Sequence, residues 1–505
     1  MSCQESVDVN CAKRSVSARL LTDKSFSKLI SERETLLKNE LKMMLGSDLV
    51  LSDSEQQAND VIMKLKRREL DYGFRNPQYF NFSKHFFEYK DDIKRSELFQ
   101  IVKAMPKGAV LHAHDTAILN QDYVVSLTYW QDLYVCFLED NILFLFSKEK
   151  PNEKCPTQWQ LMKDARYSSG NVEKFDAHLK QYFTLVIDDP VQDYDNINAV
   201  WSKFQHYFIA TSPLFCYKPI WEQYFYDALK AFRNDNVMFV EIRSVLPQLY
   251  DIDGNVYDEL VTAQSYKKVL DKFLTDYPDF FGAKLIYAPL RSVDVKTVEK
   301  YINIARVLKK KLPDFFAGFD LVGQEDLGNP TSEFLMQLND VSHEFNYFFH
   351  AGETNWYGSS SDENLVDAIV LNAKRIGHAF ALVKHPLLLE EVKKRNIALE
   401  VNVISNVVLK LVEDVRNHPL ATFLAQGLPV VISSDDPGLW DAEPLTHDFY
   451  VTFVGVASRH ADLRLLKKLA LNSLYYSTYK NKDKLVHEFD IRWAKFVHNV
   501  IRDYA

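Results

Sequence analysis

What most constrains this chain is a set of eight short, nearly continuous apolar runs, separated by longer segments of helical periodicity. They are VLHAH (110–114), MFVEIRSVL (238–246), KLIYAPL (284–290), FAGFDLVG (316–323), YFFHAG (347–352), RIGHAF (375–380), ALEVNVIS (398–405) and PVVISSD (429–435). Runs buried on both faces and divided by helices imply a parallel sheet. Eight of them predict an α/β protein, a (β/α)8 TIM barrel, over residues 105–505. The gap after the first run is far longer than the others and predicts an inserted subdomain over about residues 125–185. Within it, VCFLEDNILFLF (135–146) reads as a β-hairpin turning at Asp140-Asn141. Cys136 and Cys155 flank the second half of this segment, which could equally be a long surface excursion with two free thiols.

Residues 1–24 are polar and aperiodic, a disordered leader by expectation. Residues 25–104 form a helical N-terminal extension. Phe26, Leu29, Ile30, Leu37, Leu41 and Met44 fall at helical spacing before Gly46, and Ser52-Asp-Ser-Glu55 is a capping box ahead of Ala58, Val61, Ile62 and Leu65. The apolar stripe needs a partner, either the barrel or a second subunit.

Composition narrows the function. There are 60 basic and 69 acidic residues, a net charge of −9, which argues against nucleic-acid binding. No apolar stretch is long enough to predict a membrane span. The first twenty or so residues lack the apolar core of a signal peptide in the chain as given. None of the five cysteines forms C-x-x-C, which argues against a thiolate zinc site.

The chemistry-bearing residues gather at strand ends. In His112-Ala-His114, residues i and i+2 of a strand present both imidazoles to one side, as two metal ligands would need. Taken alone, the pair also reads as two hydrogen-bonded histidines. His350 ends the fifth run, and Glu353 lies just beyond it; alone, Glu353 reads as a solvated loop carboxylate. His378 ends the sixth run. Asp435-Asp436 ends the eighth, where an Asp-Asp-Pro sequence most often makes a turn or a helix N-cap. Together these residues all fall at the C-terminal rim of the predicted barrel, where such barrels carry their active sites. Three histidines and one aspartate are a plausible catalytic Zn²⁺ set, with Glu353 and His378 nearby to handle protons.

MPKGAVLHAHD (105–115), FHAGET (349–354), RIGHAFAL (375–382), ISNVVLKL (404–411) and VISSDDP (431–437) resemble the adenosine deaminase superfamily. The match is best to its growth-factor branch of secreted enzymes, and VWSKF (200–204), GFDLVGQED (318–326) and RNHPLAT (416–422) extend it. The resemblance implies that His112, His114, His350 and Asp435 hold one Zn²⁺. It implies that Glu353 protonates N1 of the purine and that His378 orients the attacking nucleophile. Asp436 would accept a hydrogen bond from the ring, the Gly323 N–H would meet N3, and Asp115 and Trp201 would help place the ribose. Adenosine, and deoxyadenosine with it, would become inosine and ammonia.

The resemblance also implies a homodimer formed by the N-terminal helices and a receptor-binding insert closed by a Cys136–Cys155 disulfide. That insert would face a cell-surface receptor or a glycosaminoglycan. It implies an extracellular protein, with a cytoplasmic one as the alternative, and Asn81-Phe-Ser83 permits glycosylation. Five residues at four sites depart from the family pattern. Ala379 stands where glycine is usual, Asn402-Val403 replaces Cys-Pro, Leu290 replaces a ribose-contacting histidine, and Gln205 replaces glutamate, with Gln205 and His206 as substitute ribose contacts. The metal and acid set is intact, while the pocket periphery is altered. A catalytically weak nucleoside-binding or receptor-binding signalling protein is the second reading. A barrel hydrolase acting on another amine or ester is the third.

Overall fold

The computed structural model describes residues 24–139 and 141–505. The expected leader lies outside these residues except for Lys24, and Asp140 of the expected turn lies outside them too. Each of the eight apolar runs contains a strand: Gly108–His114, Val237–Ser244, Gly282–Tyr287, Phe316–Phe319, His350–Ala351, Arg375–His378, Ala398–Val401 and Val430–Ile432. The first four pair in sequence order as one parallel sheet and the last four as another. Parallel bridges Phe319↔Tyr347 and Ala113↔Asp435 link the two sheets at both junctions, so the strands run round a ring. At the second junction Asp435 N–H donates to the His112 carbonyl (3.1 Å) and His114 N–H to the Asp435 carbonyl (3.0 Å). The seam of the barrel and the candidate site therefore share residues.

Several strands are shorter than their apolar runs because the chain turns sharply at the rim. Gly352 ends the fifth with φ +75°, and a Cβ there would lie 2.8 Å from the Leu365 side chain, so both conformation and space require glycine.

The barrel interior is not purely apolar. Glu241 and Arg243 of the second strand, Arg375 of the sixth and Glu400 of the seventh, with Asp320 just past the fourth, are all buried. Arg243 donates to Asp320 Oδ2 (2.8 Å), Glu400 Oε2 (2.6 Å) and the carbonyls of Leu111 and Phe348. Arg375 donates to Glu241 Oε2 (2.6 Å) and to Glu400 Oε1, its guanidinium stacked 3.9 Å above the Phe348 ring. Buried charges persist where they are paired and hydrogen-bonded, and these are.

In the N-terminal region, helix Asp53–Arg75 carries the predicted Ser52/Glu55 capping box and buries Ala58, Ile62, Met63 and Leu65. Glu55 Oε1 accepts from Lys467 Nζ (2.7 Å) and Trp493 Nε1 (2.8 Å), which ties this helix to the end of the chain. The preceding helix, Lys24–Met43, behaves differently. Leu29, Leu36, Leu37, Leu41 and Met43 are all exposed, Leu36 to 62%.

In residues 125–185, strands Leu133–Phe137 and Ile142–Phe146 pair antiparallel, with Gln160–Leu161 added as a third strand. Helices Met162–Ser168 and Val172–Lys180 follow. Cys136 and Cys155 are joined by a disulfide. Buried Arg166 knits the unit together, donating to Asp176 Oδ1 (2.8 Å) and Thr128 Oγ1 (2.6 Å) beneath the Tyr129 ring. Among the described residues no helix is long and apolar enough to cross a membrane.

Candidate metal centre and substrate cavity

Four strand ends bring the expected residues to one point. A bulge in the pairing of the first strand with the second falls between Val110 and Ala113, around His112. His112 Nε2 and His114 Nε2 lie 3.1 and 3.2 Å from Asp435 Oδ1, and His350 Nε2 lies 3.1 Å from His112 Nε2. His378 and Asp435 both adopt left-handed backbone, φ +60° and +58°, a costly conformation for residues with a Cβ. Ala379 follows in the same region, φ +50°, where glycine would be free of that strain. His378 Nε2 then lies 3.7 Å from Asp435 Oδ2.

Ring nitrogens show why a cation fits. His112 Nδ1 lies 2.9 Å from Glu400 Oε2 and His350 Nδ1 2.7 Å from Asp320 Oδ2. Despite their burial, Glu400 is held well below the usual carboxylate range by Arg243 and Arg375, and Asp320 by His350 and Arg243. Both are acceptors, so the histidines must donate from Nδ1. Their Nε2 atoms are then bare lone pairs aimed at each other, and that of His112 also faces Asp435 Oδ1, which itself has no hydrogen-bond partner. Burial drives His350 down to about 3, so protonation does not relieve the crowding. Converging lone pairs with carboxylates behind them are what a metal ion stabilises. Charge agrees: within this buried core the carboxylates of Glu241, Asp320, Glu400 and Asp435 outnumber the two guanidinium groups by two.

The ligand atoms of His112, His350, His378 and Asp435 lie within 4.8 Å of one another, as do those of His114, Asp435 and Asp436. Three of the expected ligands, His112, His350 and Asp435, thus share one group with His378, while His114 joins Asp435 and Asp436 in the other.

A relay fixes the His378 tautomer. Leu420 N–H donates to His418 Nδ1 (3.0 Å), leaving the proton on Nε2, which donates to Asn406 Oδ1 (3.0 Å). Asn406 Nδ2 then donates to His378 Nδ1 (3.2 Å), so His378 carries its proton on Nε2, towards Asp435. His418 thus both accepts from the first N–H of helix Leu420–Ala425 and feeds this relay.

Glu353 is buried, against the expectation for a lone loop carboxylate. Its backbone N–H and that of Gly352 donate to Glu325 (2.8 and 3.1 Å), which Asn364 also holds (2.6 Å). Its own Oε1 has no hydrogen-bond partner and lies 3.4 Å from His378 Nδ1. Burial, with Asp435 and Glu325 nearby, raises its carboxyl well above the ordinary range and keeps it a neutral acid. Asp436 is raised likewise by burial, Asp435 and Asp115, and its Oδ1 is also unpartnered. The Asp-Asp-Pro sequence does start a short helix, Pro437–Trp440, but the Asp436 side chain does not cap it.

Above this floor lies a cavity of about 660 Å³, of the size that takes a small organic ligand. Asp115, Trp201, Gly323, Glu353, His378, Asp435 and Asp436 all line it, as do Gln205 and Leu290. His206 is not among the lining residues. Asp115 is already engaged by the Tyr266 hydroxyl (2.6 Å). Asn402 is fully buried beneath the seventh strand, with neither amide atom bonded to protein.

A parallel barrel with a metal-ready cluster under a cavity at its C-terminal rim defines a class, the metal-dependent barrel hydrolases. The adenosine deaminase family pattern matches residues 177–490, and the Adenosine/AMP deaminase N-terminal pattern matches 11–102. The chain is 44% identical to an adenosine deaminase of Aedes albopictus, over 90% of this chain and 85% of that one. It is 43% identical to adenosine deaminase 2 of Homo sapiens, over 93% of each. Its fold matches an Arabidopsis N6-mAMP deaminase (TM-score 0.54, 16% identity, 78% of this chain and 99% of that one). It likewise matches an adenine deaminase of Arthrobacter aurescens (TM-score 0.54, 18% identity, 77% and 99%). The chain belongs to the adenosine deaminase family.

Proposed function

We propose that this protein hydrolyses adenosine, and deoxyadenosine with it, to inosine and ammonia, using one zinc ion held by His112, His114, His350 and Asp435. The observation that carries this is the pairing of bare His112 and His350 lone pairs with a buried Glu353 carboxyl whose Oε1 is unpartnered on one cavity floor. Zinc bound there supplies a nucleophilic water whose pKa is brought towards neutrality. Glu353 gives its proton to N1, which makes C6 electrophilic. His378, its tautomer fixed by Asn406, donates from Nε2 to the developing charge. Asp436 and the Gly323 N–H grip the ring edge, with Asp115 and Trp201 at the sugar. Water adds across the C6=N1 bond, one of its protons restores Glu353 and the other passes to the amine, and the C6–N6 bond breaks to release ammonia and leave the C6 carbonyl of inosine.

The test is the absorbance change from adenosine to inosine on protein stripped with a chelator and then reloaded. Turnover is expected to vanish on stripping and to return with about one zinc per chain. Full activity in metal-free protein would refute the assignment.

The apolar lines Leu29–Leu36 and Leu37–Leu41 on helix Lys24–Met43 support a homodimer with this helix at its interface. Replacing Leu37 and Leu41 together by Glu should weaken such a dimer by about a hundredfold or more, given roughly 1.5–3 kcal/mol per buried leucine. Sedimentation equilibrium that reports no difference from the parent chain would exclude this interface. The disulfide-closed insert supports an extracellular setting and contact with a receptor or glycosaminoglycan, since disulfides persist in oxidising compartments.

A further inference from the structure

The walls of the cavity differ sharply from its floor. At the floor lie the buried ionisable side chains His350, Glu353, His378, Asp435 and Asp436. The mouth is built from Phe204, Phe208, Ile209, Val245, Leu290 and Leu327, contributed by one helix and three separate loops or strand ends. Four of these apolar side chains are exposed: Ile209 to 57%, Val245 to 43%, Leu290 to 53% and Leu327 to 70%. Exposed apolar groups that converge on a cavity from different elements mark a surface made to be covered. The polar side chains among them are uncharged: Gln205, Ser212 and Ser292.

The reaction fixes what covers this surface. C6 must reach the metal centre, and N9 lies at the opposite end of a purine, so whatever N9 carries points at the mouth. In that orientation the far end of the sugar, its 5′ carbon, would face the exposed apolar ring. A 5′ hydroxyl there would leave water for a mostly apolar ring with only the uncharged Gln205, Ser212 and Ser292 to bond it, while a thioether or a bare methyl would gain from burial.

We propose that the mouth selects adenosines whose 5′ hydroxyl is replaced by an apolar group, with 5′-deoxy-5′-methylthioadenosine as the type substrate. The inference rests on the deaminase reading and specifies its substrate. Leu290 and Ile209 are its specificity-determining residues. The bond broken at C6 and the release of ammonia are unchanged, so the product is the corresponding 5′-substituted inosine.

The experiment compares kcat/KM for adenosine, 5′-deoxyadenosine and 5′-methylthioadenosine on the zinc-loaded full chain and on Leu290→Asn and Ile209→Asn. Both positions are more than half exposed, so both variants should fold. The methylthio compound is expected to exceed adenosine several-fold. Each variant should lower the ratio of methylthioadenosine to adenosine efficiency by about tenfold, the scale of one or two buried methylene groups. Trp201 and Trp221 line the cavity, so their fluorescence gives a second readout on binding of 5′-methylthioinosine against inosine. Adenosine turned over tenfold better than the methylthio compound would overturn the inference and leave the deaminase reading standing. No turnover of any of the three by zinc-loaded protein would overturn both.

Discussion

Glu353→Gln is expected to lower kcat by about a thousandfold or more while zinc content and melting temperature stay near those of the parent chain. The amide keeps the shape and volume of the neutral acid that burial enforces, and the Glu325 contacts that hold residues 352–353 are to backbone N–H groups, which the substitution leaves alone. Only the transferable proton is lost. Steady-state kinetics with metal analysis checks this. Full activity in the variant would remove Glu353 from the mechanism. The same variant separates enzyme from signalling protein: if the second reading holds, cell-surface binding through residues 125–185 persists in it.

Glu400→Gln tests the support behind the metal centre and should be nearly as damaging by a different route. One carboxylate fixes His112 Nδ1, Arg243 and Arg375 together. An amide oxygen can replace one of those acceptors, but its NH2 group would face a guanidinium. Loss of one partner from a buried charge network typically costs about 3–5 kcal/mol. Loss of the carboxylate behind a ligating histidine typically lowers metal affinity about 10- to 100-fold. A competitive zinc titration against a chromophoric chelator, together with thermal melts, measures both. Parent-like zinc affinity would show that His112 needs no such anchor.

The barrel was legible in the sequence because strands buried on both faces leave unbroken apolar runs, and all eight did. The site was legible because a barrel puts every strand end on one rim, so motifs far apart in the chain meet there. Glu241, Arg243, Asp320, Arg375 and Glu400 were not singled out, although each was in view as a charge inside an apolar run. A charge in such a run demands a partner, and the partner was another run whose register the sequence does not give. Asn406 and His418 were missed for a related reason: their link to His378 passes through a side-chain amide, which has no spacing rule. Taken alone, Glu353 reads as a solvated loop carboxylate because its burial depends on Glu325, Asn364 and the cavity walls, all distant in sequence.

One helix, Ile197–Phe215, carries Trp201, Phe204, Gln205, Phe208, Ile209 and Ser212 along the cavity, at offsets of three, four, seven, eight and eleven residues from the first. Those offsets trace a single face. The chemistry, by contrast, is fixed by strand ends that also close the barrel. A duplicated gene could therefore exchange one substrate for another through changes on that helical face and at Leu290 or Leu327, without touching a residue that holds metal or moves a proton. The residues proposed for the reaction and those that line the mouth thus belong to different elements of the fold.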